Sequence, residues 1–111
     1  MDTIARLLKL LGDRNRLRIV NLLMKRPVCV CELVFVLGIK QPSVSKHLKK
    51  LKGAGLIDDL QDGLGTNYRL RVLKGIEGRV LECVRVWSEK DRQAARDRRV
   101  LAAADRRRLC C

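Results

Sequence analysis

The chain has 111 residues, 47% apolar and 33% charged, with 25 Lys and Arg against 12 Asp and Glu for a formal net charge of +13. That length suits one domain burying roughly two-thirds of its unfolded surface, and the apolar share excludes a disordered charged chain. No strictly apolar run is longer than Leu33 to Leu37, far short of a membrane span, and no apolar h-region opens the chain; neither membrane association nor a secretory signal is expected, and the expected location is cytoplasmic.

Ile4, Leu7, Leu8 and Leu11 recur at helical spacing, and Gly12 stops this first helix. Asp13 suits the N-cap of the next, Arg14 to Lys25. Leu17, Val20 and Met24 lie on one face of it, with Ile19, Leu22 and Leu23 on others, the pattern of a helix packed between neighbours. Arg26-Pro27 breaks it. Cys29 to Leu37, with Glu32 as its one charge, is predicted to be a short, largely buried helix ended by Gly38. After the tight Gly38-Ile39-Lys40 connection, Gln41-Pro42 opens a basic amphipathic helix. Its inner face is Val44, Leu48 and Leu51, and Gly53 and Gly55 close it.

Leu56 to Gln61 and Thr66 to Val72 then flank the turn Asp62-Gly63-Leu64-Gly65, which predicts a β-hairpin. Tyr68, Leu70 and Val72 are expected to point inward. Leu73, Ile76, Val80, Cys83, Val84 and Trp87 make one stripe of a last helix, with Cys83 expected in the core or in a dimer interface. Beyond Glu89 the periodicity fades. Residues 85–108 hold nine Arg or Lys against four acids, which fits an exposed helix or a frayed tail. The expected organisation is a DNA-binding and dimerisation domain over 1–88, and a basic extension over 89–111 ending in Cys110-Cys111.

A basic folded domain points to a polyanion. Phe35, Tyr68 and Trp87 are its three aromatics, too few for the stacking platforms of a single-strand binder. Groove and phosphate contacts on double-stranded DNA fit better. The element order is that of a winged helix-turn-helix, α+β but mainly α, with a two-stranded wing. The Gln41 helix would enter the major groove. Gln41 can pair with an adenine edge. Ser43 and Ser45 offer short hydroxyls, and Lys46, Lys49 and Lys50 can neutralise phosphate. His47 lies on the same helix and is expected to face phosphate or a neighbouring side chain.

Five cysteines, an odd number, argue against a disulfide framework and for free thiols in a reducing compartment. The segments Leu11-Gly12-Asp13-Arg14-Asn15-Arg16-Leu17-Arg18-Ile19, Cys29-Val30-Cys31-Glu32-Leu33, Gln41-Pro42-Ser43-Val44-Ser45-Lys46-His47-Leu48, Gly55-Leu56-Ile57 and Tyr68-Arg69-Leu70 together resemble the arsenical-resistance repressor (ArsR) family of metal sensors. The resemblance runs over about residues 4–88. It implies a homodimeric repressor that leaves operator DNA when it binds a metal or metalloid, with the recognition-helix role on Gln41–Leu48. The wing lacks the Arg often found in that family.

The Cys29-Val30-Cys31 match implies a thiol site for As(III), with Sb(III) a further inducer and no organic cofactor. Soft thiolates favour such acceptors. In the arsenic-sensing branch a third cysteine follows three residues after the second; Val34 stands there. Cys110 or Cys111 is expected to complete the site, from the same chain or across a dimer. With both cysteines on one helix, the two side chains would stand about 200° apart, so joint capture of one atom is expected to distort that helix. Dimerisation is expected through the stripes Ile4–Leu11 and Leu73–Trp87. The alternatives are a cadmium- or lead-responsive repressor using the same thiols, a redox-responsive regulator, a thiol redox enzyme and a constitutive architectural binder.

Overall fold

The computed structural model describes residues 1–63, 65–105 and 109. The elements in chain order are α1 (Asp2–Leu11), α2 (Arg14–Leu23), β1 (Val28–Cys29), α3 (Val30–Leu37), α4 (Gln41–Gly53), β2 (Ile57–Asp62), β3 (Gly65–Leu70), α5 (Gly75–Ser88) and α6 (Arg92–Ala103). The winged helix-turn-helix is borne out. Its antiparallel hairpin, in register from Ile57 opposite Leu70 to Asp62 opposite Gly65, gains a third short strand. β1 pairs with β3, Val28 opposite Tyr68 and Cys29 opposite Asn67, giving the order β1-β3-β2.

Helix α2 is the hub. It touches α1, α3, α4, α5, α6 and β3, which explains why Ile19, Val20, Leu22 and Leu23 are all buried although they point in different directions. Asp13 caps it as the sequence predicts, its carboxylate accepting from the Arg16 N–H at 3.1 Å. Around α2 the core is closed by Leu33 of α3, by Val44, Leu48 and Leu51 of α4, and by Leu56 and Ile57 at the root of the wing.

The turn between α3 and α4 rests on Gly38, whose φ of 69° lies in the left-handed region and whose N–H closes α3 onto the Val34 carbonyl at 2.9 Å. A Cβ added there meets nothing within 4 Å. The cost of Gly38→Ala is therefore conformational alone, and urea denaturation is expected to show a loss of about 1 kcal/mol.

Three expectations are corrected. Cys29 is not helical: it sits in β1 with φ −92° and ψ 166° and caps α3 from outside. Val72 does not point inward. The strand stops at Leu70, and Val72 is 95% exposed in the connection to α5. The helix carrying Trp87 is not the last, and its inward face is led by Leu81 rather than by the predicted stripe. Ile76, Cys83 and Trp87 are exposed.

The segment after Glu89 resolves into a helix. Asp91 caps α6, accepting from the Ala94 N–H at 3.0 Å, and Ala94, Asp97 and Leu101 are buried against α2 and α3. Periodicity could not reveal this face, because one of its three inward residues is a carboxylate and another is a methyl group. Asp97, fully buried, takes a two-pronged grip from Arg18, Nε to Oδ2 at 2.8 Å and Nη2 to Oδ1 at 2.9 Å.

Candidate nucleic-acid interface and thiol site

The outer surface of α4 follows from its spacing. At about 100° per residue, Val44, Leu48 and Leu51 share one face, and all three are buried. Gln41, Ser43, Ser45, Lys46, Lys49 and Lys50 fall on the remaining arc and are exposed. Pro42 stands in the first turn, where its missing N–H costs no hydrogen bond, and Lys50 and Lys52 lie in the last turn, near the negative end of the helix. Lys40, exposed at the N-cap, adds a cation that periodicity did not single out because it lies in the turn.

His47 is the one member of the predicted set that does not share this surface. Its side chain is 15% exposed and turns toward the start of α2. Arg16 Nη1 lies 3.3 Å from Nδ1. A guanidinium only donates, so Nδ1 accepts and the ring proton sits on Nε2, 3.9 Å from Asp13 Oδ1. Burial pushes the imidazole below its ordinary value, outweighing the pull of Asp13. Asp13 is itself held down, first by the Arg16 N–H. His47 thus seats α4 against the cap of α2.

The wing presents little free positive charge. Arg69 Nε is bound to Asp58 at 2.7 Å, and Lys52 reaches Asp59 at 3.0 Å. The Arg69 side-chain bond holds the Asp58 carboxyl below its usual range.

The thiols gather at the mouth of α3. Cys29 is 3% exposed and Cys31 half-buried. Cys29 and Glu32 cap the helix reciprocally, with the Cys29 N–H donating to Glu32 Oε1 at 3.1 Å. Burial pushes the Glu32 carboxyl up, but the Arg26 guanidinium, 2.7 Å away, and the Cys29 N–H together hold it below its ordinary value. Residue type alone did not mark Glu32 as part of the site; the Cys-x-x-Glu spacing, that of a capping box, was its signal.

Because Cys29 precedes the helix, its direction is not tied to that of Cys31. The expectation that joint capture must unwind α3 therefore loses its premise. Two soft donors at one helix mouth suit a thiophilic ion, but among the described residues no group of three His, Cys, Asp or Glu is placed to hold a metal. Cys110 and Cys111 lie outside the described residues. Cys83 is exposed on α5.

Among the described residues no helix is long and apolar enough to cross a membrane. Residues 13–59, from the cap of α2 to the first wing strand, match the profile of the bacterial regulatory proteins of the arsR family. Over 65 residues the chain is 43% identical to the arsenical resistance operon repressor of Escherichia coli, covering 58% of this chain and 56% of that protein. It is 33% identical over 86 residues to an uncharacterized HTH-type transcriptional regulator of Methanocaldococcus jannaschii, covering 77% of this chain and 91% of that one. A cadmium resistance transcriptional regulatory protein of Listeria innocua is 34% identical over 67 residues, 60% of this chain and 56% of its own length. The chain spans about half the length of the arsenic-named relatives it matches.

Proposed function

The chain belongs to the arsR family of bacterial regulatory proteins, a family of DNA-binding regulators and not of enzymes, and from that premise we propose that it is a metalloid-responsive transcriptional repressor. It would bind double-stranded operator DNA and release it when As(III), or Sb(III), is captured by cysteine thiolates. One observation carries this reading: a pair of thiols at the start of α3 stands one helix away from the exposed polar face of α4, in a single helix-turn-helix.

Gln41, Ser43 and Ser45 would meet base edges, and Lys46, Lys49 and Lys50 would meet phosphates. Arg16 and Asp13 would steer α4 through His47. Cys29 and Cys31 would hold the inducer, with Cys110 or Cys111 as the third sulfur. Since the extended Cys29 leaves α3 free to stay helical, capture is proposed to act on the cap instead. Drawing the Cys29 sulfur to the metalloid takes it from the α3 N-terminus and breaks one half of the reciprocal cap, which loosens the helix that backs α4.

A homodimer is part of the reading. Leu8 of α1 and Ile76, Cys83 and Trp87 of α5 are apolar groups left exposed on elements that touch each other. Two-fold symmetry would make the operator palindromic. The site of action would be the cytoplasm.

The test is operator affinity, by fluorescence anisotropy on a duplex obtained by in vitro selection, titrated with arsenite, antimonite and cadmium. Wild type is expected to lose at least fivefold in affinity with arsenite, the lower end of ordinary allosteric coupling. Cys29→Ser, Cys31→Ser and the Cys110→Ser/Cys111→Ser pair are expected to keep DNA binding and lose the response. A response unchanged in all three variants excludes the thiol reading. A cadmium-first response supports the second reading, favoured by the similarity to the cadmium regulator; release by peroxide alone, reversed by reductant, points to a redox switch.

A further inference from the structure

The basic surface of α4 does not end at α4. A groove of about 480 Å³ runs between the last turns of α4, where Lys50 and Ala54 line it, and α1, where Thr3, Arg6 and Leu10 line it. One side chain sets the spacing of its two walls. Arg16 donates from Nε to the Leu10 carbonyl at 2.6 Å and from Nη1 to His47 Nδ1 at 3.3 Å, and its side chain is 13% exposed. A single guanidinium thus ties the end of α1 to the middle of α4. The groove exists before anything binds, which removes the ordering cost of forming it.

Spacing decides which side chains stand at its rim. Lys50 is six residues from the buried Val44, about 240° around α4, between the outer arc and His47. It is exposed on the side of α4 that turns toward α1. Arg6 is next to the buried Leu7, about 100° around α1 from it, and is exposed. Leu8, part of the proposed dimer face, lies about 200° around α1 from Arg6, so a second copy on that face leaves Arg6 open.

The charges favour an anion at the open edge. Among the described residues neither Arg6 nor Lys50 is in an ion pair, whereas Lys52, on the other side of α4, is held by Asp59. Glu77, in the first turn of α5, is the one carboxylate among the described residues lining the groove; it is half-buried and pairs with neither cation. A recognition helix seated in the major groove has a DNA backbone along each flank. The backbone on the Lys50 flank meets Arg6 as the next cation.

We propose that Arg6 of α1 and Lys50 of α4 together hold one phosphate of the operator backbone, which makes α1 a second DNA-contacting element. This contact rests on the operator-binding reading above and adds a residue outside the helix-turn-helix. It carries no sequence information and fixes how α4 is registered on the duplex.

The test measures affinity of the full chain for the selected duplex, without inducer, over a range of salt. Arg6→Ala is expected to make the slope of log affinity against log salt shallower by about 0.9, and so to cost about eightfold near 0.1 M salt. Its urea midpoint and its preferred sequence are expected to stay those of wild type, and Arg6→Lys is expected to keep the slope. Single methylphosphonate linkages, each removing one phosphate charge, then locate the partner. At one backbone position in each half-site the neutral linkage is expected to weaken wild type, while Arg6→Ala and Lys50→Ala are both insensitive there and respond as wild type elsewhere. A wild-type slope in Arg6→Ala, or a slope change with no phosphate shared by the two variants, overturns the proposal and leaves the repressor reading standing. A wild-type chain that binds no duplex overturns both.

Discussion

Replacing Asp97 by alanine is expected to lower the free energy of unfolding by about 3–5 kcal/mol, measured by urea denaturation. The carboxylate is fully buried, and Arg18 is 15% exposed at its side chain, so the pair is mostly beyond the reach of solvent screening. Removing the acid strands a guanidinium whose other partners, Asn15 Oδ1 at 3.3 Å and the Val36 carbonyl at 3.4 Å, are neutral and distant. Gln93 also loses its acceptor, at 2.9 Å. The double replacement Arg18→Met with Asp97→Leu is expected to recover most of the loss, since an apolar pair of similar volume avoids the desolvation of two charges. A single variant as stable as wild type would mean that the pair does not hold α6 to α2. Val36 lies just before the turn into α4, so the single variant is also expected to weaken DNA binding, and the apolar pair to restore it in part.

The second large effect concerns salt. Replacing Lys46, Lys49 and Lys50 together by alanine is expected to make the plot of log operator affinity against log salt shallower by about 3, close to one unit for each phosphate that is no longer neutralised. All three side chains are exposed on the outer arc of α4, and no acid is bound to them in any ion pair among the described residues. Gln41→Ala is expected to act differently. It should leave the slope alone and relax sequence preference at one base pair by about 1–3 kcal/mol. A slope unchanged in the triple variant would remove α4 from the backbone of the DNA.

Most of the helix-turn-helix was legible because its signals are local. The Asp13 cap, Gly38 in the turn, Pro42 in the first turn of α4 and the Val44-Leu48-Leu51 stripe each act within one or two helical turns, where spacing and backbone preference decide the outcome. The hairpin was legible for the same reason, through alternation around a glycine-containing turn. Where an expectation missed by a few residues, as at Val72, the strand stopped at Leu70 opposite Ile57, where its partner β2 begins, and pairing length is not written in one strand alone.

What was not legible depends on residues far apart in the chain. Cys29 leaves the helix because it pairs with Asn67, 38 positions on, and that pairing removes the geometric premise for helix distortion. His47 stands three residues from Val44 and four from Leu51, so spacing places it beside the inner face of α4, but its partners, Asp13 and Arg16 at the start of another helix, are fixed only by the fold. Helix α6 is invisible to apolar periodicity because its anchor is a buried charge, meaningful only beside Arg18, 79 positions away. By itself, then, the sequence determined the order of the first five helices and the hairpin, the exposed polar face of the Gln41 helix and the presence of two soft donors just before it, since these follow from residue type and local spacing. Only the tertiary structure decided which thiol is buried, which histidine faces are occupied and what holds the C-terminal helix, because those depend on desolvation and partnering across the fold.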